Sequence, residues 1–341
     1  MLTNRVSGFI RSVGLTVLGL LAAGGGAAVA HGEELVLYSG RSKSLVEPIV
    51  RKFSQETGIE VAVKYGNTAQ LAVALREEGE RTQADVFWSQ DAGALGAMVS
   101  AGLFTKVDQA TLDRVPAEYR GADGLWVATS GRARTLAYST VRVTTDQLPK
   151  SVLGLTDAKY KGKVGWAPTN ASFQSFVTAL RKSQGEDAAR AWLEGMIANG
   201  AVAYPKNTAI IEAIAAGEVD YGLPNHYYLL QFLAEDENYP VAQTSFEPGD
   251  IGNLVNVAGV GVLKTSKQKD AAQRFVAYLL TDTAQQYFSD ETHEYPVVQG
   301  VEAGPGLTPL DSLRGGAPAV ELDSLEDLRG TLDLLAEVGL R

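Results

Sequence analysis

An α/β fold follows from three features of the chain: short β-branched runs, stretches of helical period between them, and glycine- or serine-rich turns where one gives way to the other. Residues 34–38 read as a first strand that stops at the turn Ser39-Gly40-Arg41-Ser42-Lys43. A helix is expected from Ser44, because Ser44 and Glu47 have the spacing of a capping box. It carries Leu45, Val46, Ile49, Val50 and Phe53 on one face and closes at Gly58. Residues 60–65 give a second strand, 69–78 a helix, 85–88 a strand and 92–101 a helix. A second α/β set starts near Gly131, with strands at 134–139 and 164–166, a helix from Ser172 and another at 208–216. The strand 221–223 leads into Pro224-Asn225-His226-Tyr227-Tyr228 and a helix behind it. Residues 254–263 read as a long apolar strand broken by glycines, 270–280 and 283–288 as helices, and 322–340 as a further amphipathic helical region.

The first thirty residues follow a different pattern. Arg5 and Arg11 are their only charges, 13–23 is apolar, and Ala28-Val29-Ala30 has the small-x-small pattern that a signal peptidase reads. A secretory signal cut after Ala30 is expected, since the apolar run is shorter than the ~20 residues of a spanning helix. The 341 residues suit two domains. The absence of cysteine excludes disulfides, thiolate metal sites, iron–sulfur clusters and cysteine nucleophiles. A net charge of −10 argues against nucleic acid as a partner, because phosphate binding needs a basic face.

Catalytic constellations are scarce. There are three histidines, His31, His226 and His293, and neither a Gly-x-Ser-x-Gly turn, a Walker A loop nor a Gly-x-Gly-x-x-Gly fingerprint occurs. No enzyme activity is expected, and what remains is oxygen chemistry. Tyr227 and Tyr228 can converge on one point if they start a helix, which two adjacent residues of a strand cannot do. Pro224 and Asn225 place them at the C-terminal end of a strand, where open α/β sheets bind ligands. An arbitrary tyrosine pair more often packs one ring in the core and leaves the other in water. The turn 38–42 would form an anion site from its backbone amides and Arg41, or serve ordinary capping. Ser130-Gly131-Arg132-Ala133-Arg134 and Tyr138 lie at the expected crossing between two lobes, and Thr169-Asn170-Ala171-Ser172 is a further polar turn before a helix.

Five segments in order carry a resemblance: Leu37-Tyr38-Ser39-Gly40-Arg41, Ala84-Asp85-Val86-Phe87-Trp88-Ser89, Ser130-Gly131-Arg132 with Tyr138, Ala167-Pro168-Thr169, and Asn225-His226-Tyr227-Tyr228. Together they resemble bacterial periplasmic ferric-ion-binding proteins, the substrate-binding subunits of iron(III) ABC importers. The resemblance implies a two-lobed periplasmic binding protein clamshell of type 2 topology with two crossover strands. The first lobe would take residues 31–132 and 257–305, and the second 133–256 and 306–341. It also implies a periplasmic receptor, expected to be monomeric, that carries Fe3+ to an inner-membrane ABC permease. By position, Tyr227 and Tyr228 match the iron-binding tyrosine pair and Tyr138 the third tyrosine of the tyrosine-rich branch. Arg132 matches an arginine near the bound anion. Asn170, Ala171 and Ser172 match a turn that holds phosphate in some members, and Asn207 and Asn225 match asparagines lining that pocket.

The chain departs from the family at two ligand positions. Ser42 stands where some members have a histidine ligand and Gln90 where they have a glutamate, and neither is a good anionic ligand; Lys43 replaces a tyrosine found nearby in another branch. Three phenolates would neutralise Fe3+ yet leave Fe2+ with excess negative charge. A free phenol has a pKa near ~10, so ionising them at neutral pH needs a strong Lewis acid. The shell would remain incomplete beside Arg132 and Arg41, and a carbonate bridging iron and guanidinium is the expected synergistic anion. In a competing account Asp85 or Asp91 pairs with an arginine and water completes the shell. A different reading on the same fold is a receptor for phosphate, sulfate or phosphonate, with Arg41, Arg132 and the turn amides as the site.

Overall fold

The structure, a computed structural model, describes residues 34–307, 313 and 316–340. The expected signal segment and its cut after Ala30 lie outside the described residues. Two mixed sheets organise the chain. In the first, β1 (Glu34–Ser39) pairs in parallel with β2 (Glu60–Tyr65) and β3 (Val86–Ser89). On its far side the long strand β11 (Val255–Leu263) runs antiparallel to β3, β4 (Phe104–Thr105) and β5 (Val127–Ala133). The second sheet has the order β10 (Val241–Thr244), β6 (Leu136–Ser139), β9 (Tyr221–Gly222), β7 (Val164–Trp166), β8 (Val202–Ala203).

The chain passes from the first sheet to the second between Ala133 and Leu136, and β11 brings it back. These two crossings lie side by side, with Arg132 opposite Asn256 in the register. The result is the two-lobed clamshell. The glycines in β11 have a packing reason: a Cβ on Gly259 would stand 2.6 Å from Leu95 Cδ1 and 2.9 Å from the Val127 carbonyl, where the register with β5 shifts.

Helices α1 (Lys43–Thr57), α2 (Thr68–Glu78) and α3 (Ala92–Ser100) follow the three parallel strands, and α4 (Gln109–Leu112) is a single turn. Val46, Ile49, Val50 and Phe53 bury the inner stripe of α1, and Gly58 ends it in the left-handed conformation at φ 72°. Its start differs from the expected capping box. The helix begins at Lys43, with Ser42 at the cap making no side-chain bond to the first amides. The Glu47 carboxylate is engaged along the helix by Lys43 and Arg51, so it does not reach back. Phe53, Trp88, Phe275 and Phe288 meet edge to face in the first lobe, and Trp166, Phe173, Phe176 and Trp192 do so in the second.

The second lobe adds α5 (Ala171–Gln184), α6 (Glu186–Ala198), α7 (Asn207–Ala216) and α8 (His226–Glu235). α9 (Lys269–Leu279) and α10 (Asp282–Asp290) return to the first. The C-terminal segment, expected with the second lobe, touches both. Its 3₁₀ turn Leu322–Glu326 runs so close to α3 that a Cβ on Gly93 would meet the Leu325 carbonyl at 2.5 Å. α11 (Leu328–Glu337) lies on α5 through Thr178–Thr331 at 2.7 Å and Arg181–Asp327 at 3.0 Å.

Candidate functional site

Helix starts face one another across the space between the lobes. Residues at the beginnings of α1 and α2, with Gln90 just ahead of α3, line a cleft of ≈ 640 Å³ from one side, and the starts of α5, α7 and α8 line it from the other. This placement follows from strands whose C-terminal ends open toward the cleft. An N-terminus carries unpaired N–H groups and the positive end of the helix dipole. At α2 and α5 the amides are taken by Asn67 and Asn170, whereas α1, α7 and α8 begin without a side-chain cap.

Tyr227 and Tyr228 are the second and third residues of α8 and both line the cleft. Helical geometry turns them the same way, and their rings lie 4.2 Å apart at 36°. Burial raises the Tyr227 hydroxyl well above the usual phenol range, and neighbouring Tyr228 adds to the rise while Arg132 opposes it. Tyr227 is therefore a neutral phenol at neutral pH. His226 fixes the pair. Its Nδ1 accepts the Ala133 N–H at 3.1 Å, its Nε2–H donates to the His293 carbonyl at 2.8 Å, and its ring stacks on Tyr295 at 4.4 Å. With both nitrogens bonded it offers no lone pair to a ligand, and burial lowers its pKa to about 4.

Beneath the tyrosines lies a buried set of charges, Arg41, Arg132 and Arg134 against Asp91 and Glu294. Arg41 was expected at the anion site, and the structure corrects this. Its guanidinium pairs with Glu294 at 2.5 Å, reaches Ser130 at 3.3 Å and is packed between Trp88 and Phe288, so its charge is spent inside the first lobe. Arg134 donates to the Ser172 and Leu223 carbonyls and packs on Phe173 and Phe176; burial lowers its pKa to about 9. Arg132 is different: it is 1% exposed, and none of its three guanidinium nitrogens has a partner. A buried guanidinium without hydrogen bonds is costly even with the charge of Asp91 near enough to be felt, and Arg132 is not among the cleft-lining residues.

Tyr138 is the second correction. Side chains alternate along a strand, and on β6 it is Ala137 that joins Ile210, Leu229 and Tyr228 on the α7–α8 face. Tyr138 faces the other way, onto the cluster holding Tyr160 and Tyr221, and is not among the cleft-lining residues. Of the remaining expected residues, Asn170 and Ser172 line the cleft. Asn207 and Asn225 sit buried at the starts of α7 and α8, with Asn207 Oδ1 and Nδ2 and Asn225 Nδ2 unpartnered. The Asp85 carboxylate takes the Val36 N–H and the Ser266 hydroxyl, and Asp91 caps α3 through Ala94. Burial raises Asp91 against the pull of Arg132.

Sequence reasoning missed Lys206, Asn67, Thr68, Thr208 and Gln231, all of which line the cleft. The signal that could have found the first four is their place at or just inside helix starts that follow strands, and Gln231 stands one helical turn after Tyr227. Among the described residues no group of three or more His, Asp or Glu side chains could hold a metal ion. No described helix is long and apolar enough to cross a membrane.

Comparison with known proteins places the cleft in context. Residues 82–309 match the family described as bacterial extracellular solute-binding protein. The Fe(3+)-binding periplasmic protein of Serratia marcescens is 32% identical over 331 residues, 96% of this chain and 97% of its own. The major ferric iron-binding protein of Neisseria meningitidis serogroup B is 34% identical over 330 residues, 94% of this chain and 98% of its own. Among solved structures, iron-bound HitA from Pseudomonas aeruginosa superposes with a TM-score of 0.86 at 35% identity, over 90% of this chain and 100% of that one. A Trichodesmium protein (IdiA, FutA) in complex with iron and citrate ligands gives 0.76 at 30% identity, again over 90% of this chain and 100% of that one.

Proposed function

We propose that this chain, which belongs to the bacterial extracellular solute-binding proteins and among them to the periplasmic ferric-ion-binding proteins, captures Fe3+ between its lobes through the phenolates of Tyr227 and Tyr228 and delivers it to an inner-membrane ABC permease. The observation that carries this reading is the convergence of two phenols at the mouth of α8, in a cleft whose lining residues include no imidazole or thiolate. Hard oxygen donors suit a hard cation of high charge, and only such a cation displaces the proton from a phenol as strongly held as that of Tyr227. Two phenolates do not neutralise Fe3+, so an exogenous synergistic anion completes the shell, with carbonate as one that can bridge the metal and Arg132. The lobes, divided near Arg132 and Asn256, close about β5 and β11 once both touch the same cargo.

Titrating the metal-free protein with ferric ion in bicarbonate tests the site: a phenolate-to-iron charge-transfer band should grow to one equivalent. Because binding releases phenol protons, affinity should fall as pH falls. Colourless protein at saturating iron would sink the tyrosine reading. Export with cleavage after Ala30 is checked by the intact mass of the periplasmic product, which should begin at His31.

The anion-receptor reading keeps one observation in its favour, since no cleft-lining residue is a carboxylate and Lys206 is the only one with a formal charge. Phosphate or sulfate binding that is tight without iron would support it.

A further inference from the structure

Strands β5 and β11 carry the chain between the sheets, yet the lobes are joined a second way, by the C-terminal segment. It starts on the second lobe. The Gly316 carbonyl accepts the Gly249 N–H at 3.0 Å and the Asn253 side-chain amide at 3.1 Å. That loop is itself held to the second lobe, through Glu247 N–H to the Lys150 carbonyl at 2.9 Å and Val152 N–H to the Asp250 carboxylate at 3.2 Å. Residues 317–322 then line a cavity of ≈ 790 Å³ together with Leu254 and Val255, where β11 enters the crossing, and Tyr119 of the first lobe. Next the chain settles on a face of α3 made of small residues, Gly93, Ala97 and Ser100, which stand at helical spacing. Leu325 is buried there, and the Ser100 hydroxyl donates to the exposed Glu326 carboxylate at 2.6 Å. One residue later the chain is back on the second lobe. Arg181 of α5 holds the Asp327 carboxylate at 3.0 Å and the Thr331 hydroxyl at 3.0 Å, and Leu334 and Leu335 are buried behind them.

Glu326 and Asp327 are neighbours in the chain, with Cα atoms ~3.8 Å apart, and different lobes grip them. The tie has no slack. The helices it joins both begin at the cleft, with Gln90 just ahead of α3 and residues 169–172 at the start of α5. Ser100 and Arg181 lie farther along those helices, roughly 12–15 Å from their starts at about 1.5 Å per residue. A rotation about β5 and β11 that parts the helix starts also moves these far points, apart or past one another, and so short a tie follows neither motion without letting go. The two grips are unequal. An ion pair, a buried pair of hydroxyls between Thr178 and Thr331, and two leucines fasten α11 to the second lobe. On the first lobe the grip is one leucine and one exposed hydrogen bond, so that end yields first.

We infer that residues 316–337 form a strap that limits how far the lobes part when the cleft is empty, with Leu325 on α3 as its releasable end. The strap acts whatever fills the cleft. By keeping the walls near their facing arrangement it leaves less of the closing motion for cargo to drive, so its grip sets the resting opening and through it the apparent affinity.

The chain has no cysteine, so Lys52→Cys on α1 and Glu212→Cys on α7, both exposed, give the full exported protein one spin label on each lobe. The distance between the labels, measured without iron or added anion, reports the opening. Gly93→Ala puts a methyl where the Leu325 carbonyl stands, and Leu325→Ala removes the peg itself. These are opposite changes, one adding and one removing atoms, and both should lengthen the distance. Gly154→Ala, whose Cβ meets nothing within 4 Å, should leave it unchanged. A single cooperative thermal transition in each variant reports that it is folded. Ser100→Ala loses only the exposed bond and should shift the distance less, in the same direction; it carries the test if Leu325→Ala does not fold. An unchanged distance in folded Gly93→Ala and Ser100→Ala would overturn the strap. A shorter distance would overturn it as well, since the segment would then prop the lobes apart.

Discussion

On the second-lobe side of the cleft, helix starts carry Tyr227, Tyr228 and Lys206; on the first-lobe side, the same structural position carries Ser42, Asn67 and Thr68. The backbone arrangement is shared, a strand that ends at the cleft and a helix that begins there. It supplies N–H groups and positive dipole ends on both sides. What differs is the chemistry of one or two residues per turn: phenols on one wall, which the proposed function gives to a cation, and neutral hydroxyls and amides on the other. The fold makes a place where something anionic can rest, and single side chains decide whether a metal comes too.

The sharpest way to break this comparison is to erase the phenols of the second-lobe wall. Tyr227→Phe and Tyr228→Phe keep both rings and remove both oxygens. Affinity for ferric ion should drop by far more than the 10–100-fold that loss of an outer-shell partner costs, and the double variant should show no charge-transfer band. Retained colour would mean that the iron sits elsewhere.

A smaller effect should come through His226, which ties the tyrosine wall to β5. Its pKa is lowered to about 4 in the folded chain, against about 6.5 for an exposed imidazole. Between those values the unfolded chain takes up a proton that the folded chain refuses. Stability is therefore full above about pH 6.5 and declines as pH falls toward 4, by about 3 kcal/mol. Denaturant unfolding across that range measures it, and His226→Gln should flatten the slope.

Arg132→Gln probes the anion between the walls. At fixed iron, affinity in bicarbonate should fall about 10–100-fold, and the gap between wild type and variant should close when bicarbonate is withheld. A gap that stays open without any anion would assign Arg132 to the tyrosines directly. The smallest change is expected on the first-lobe wall in the absence of cargo. Ser42 makes no capping bond, so Ser42→Ala should move stability by less than about 0.5 kcal/mol, measured by thermal unfolding. A larger loss would show that this serine serves the fold.

Much of the α/β succession was legible because its signals are local. The stripe of Val46, Ile49, Val50 and Phe53, the stop at Gly58 and the apolar run of β11 each depend on neighbours in sequence. The Tyr227–Tyr228 pair was legible for the same reason, since a helix start one residue earlier decides how two adjacent rings point. The capping box at Ser44 misled because Glu47 had better partners along its own helix. Helix α6 was not read, and neither were the strands β4, β8 and β10, because a two- to four-residue strand has too little alternation to register.

Composition and pattern were enough for a chain without thiol chemistry, with alternating strands and helices and a phenol pair at a helix mouth, because those properties belong to single residues or to one turn of backbone. The fate of each arginine and of Tyr138 belonged to the three-dimensional arrangement. Arg41, Arg132 and Arg134 look alike as letters near strand ends. Packing gave the first a carboxylate 253 positions away and the last two backbone carbonyls, and left Arg132 without a hydrogen bond beside Tyr227. Tyr138 lost its expected place to the alternation of one short strand, whose inward side was decided by what lay on the other face of the sheet. A buried charge takes its role from the nearest opposite charge in space, and distance in space is what a linear chain leaves open until it folds.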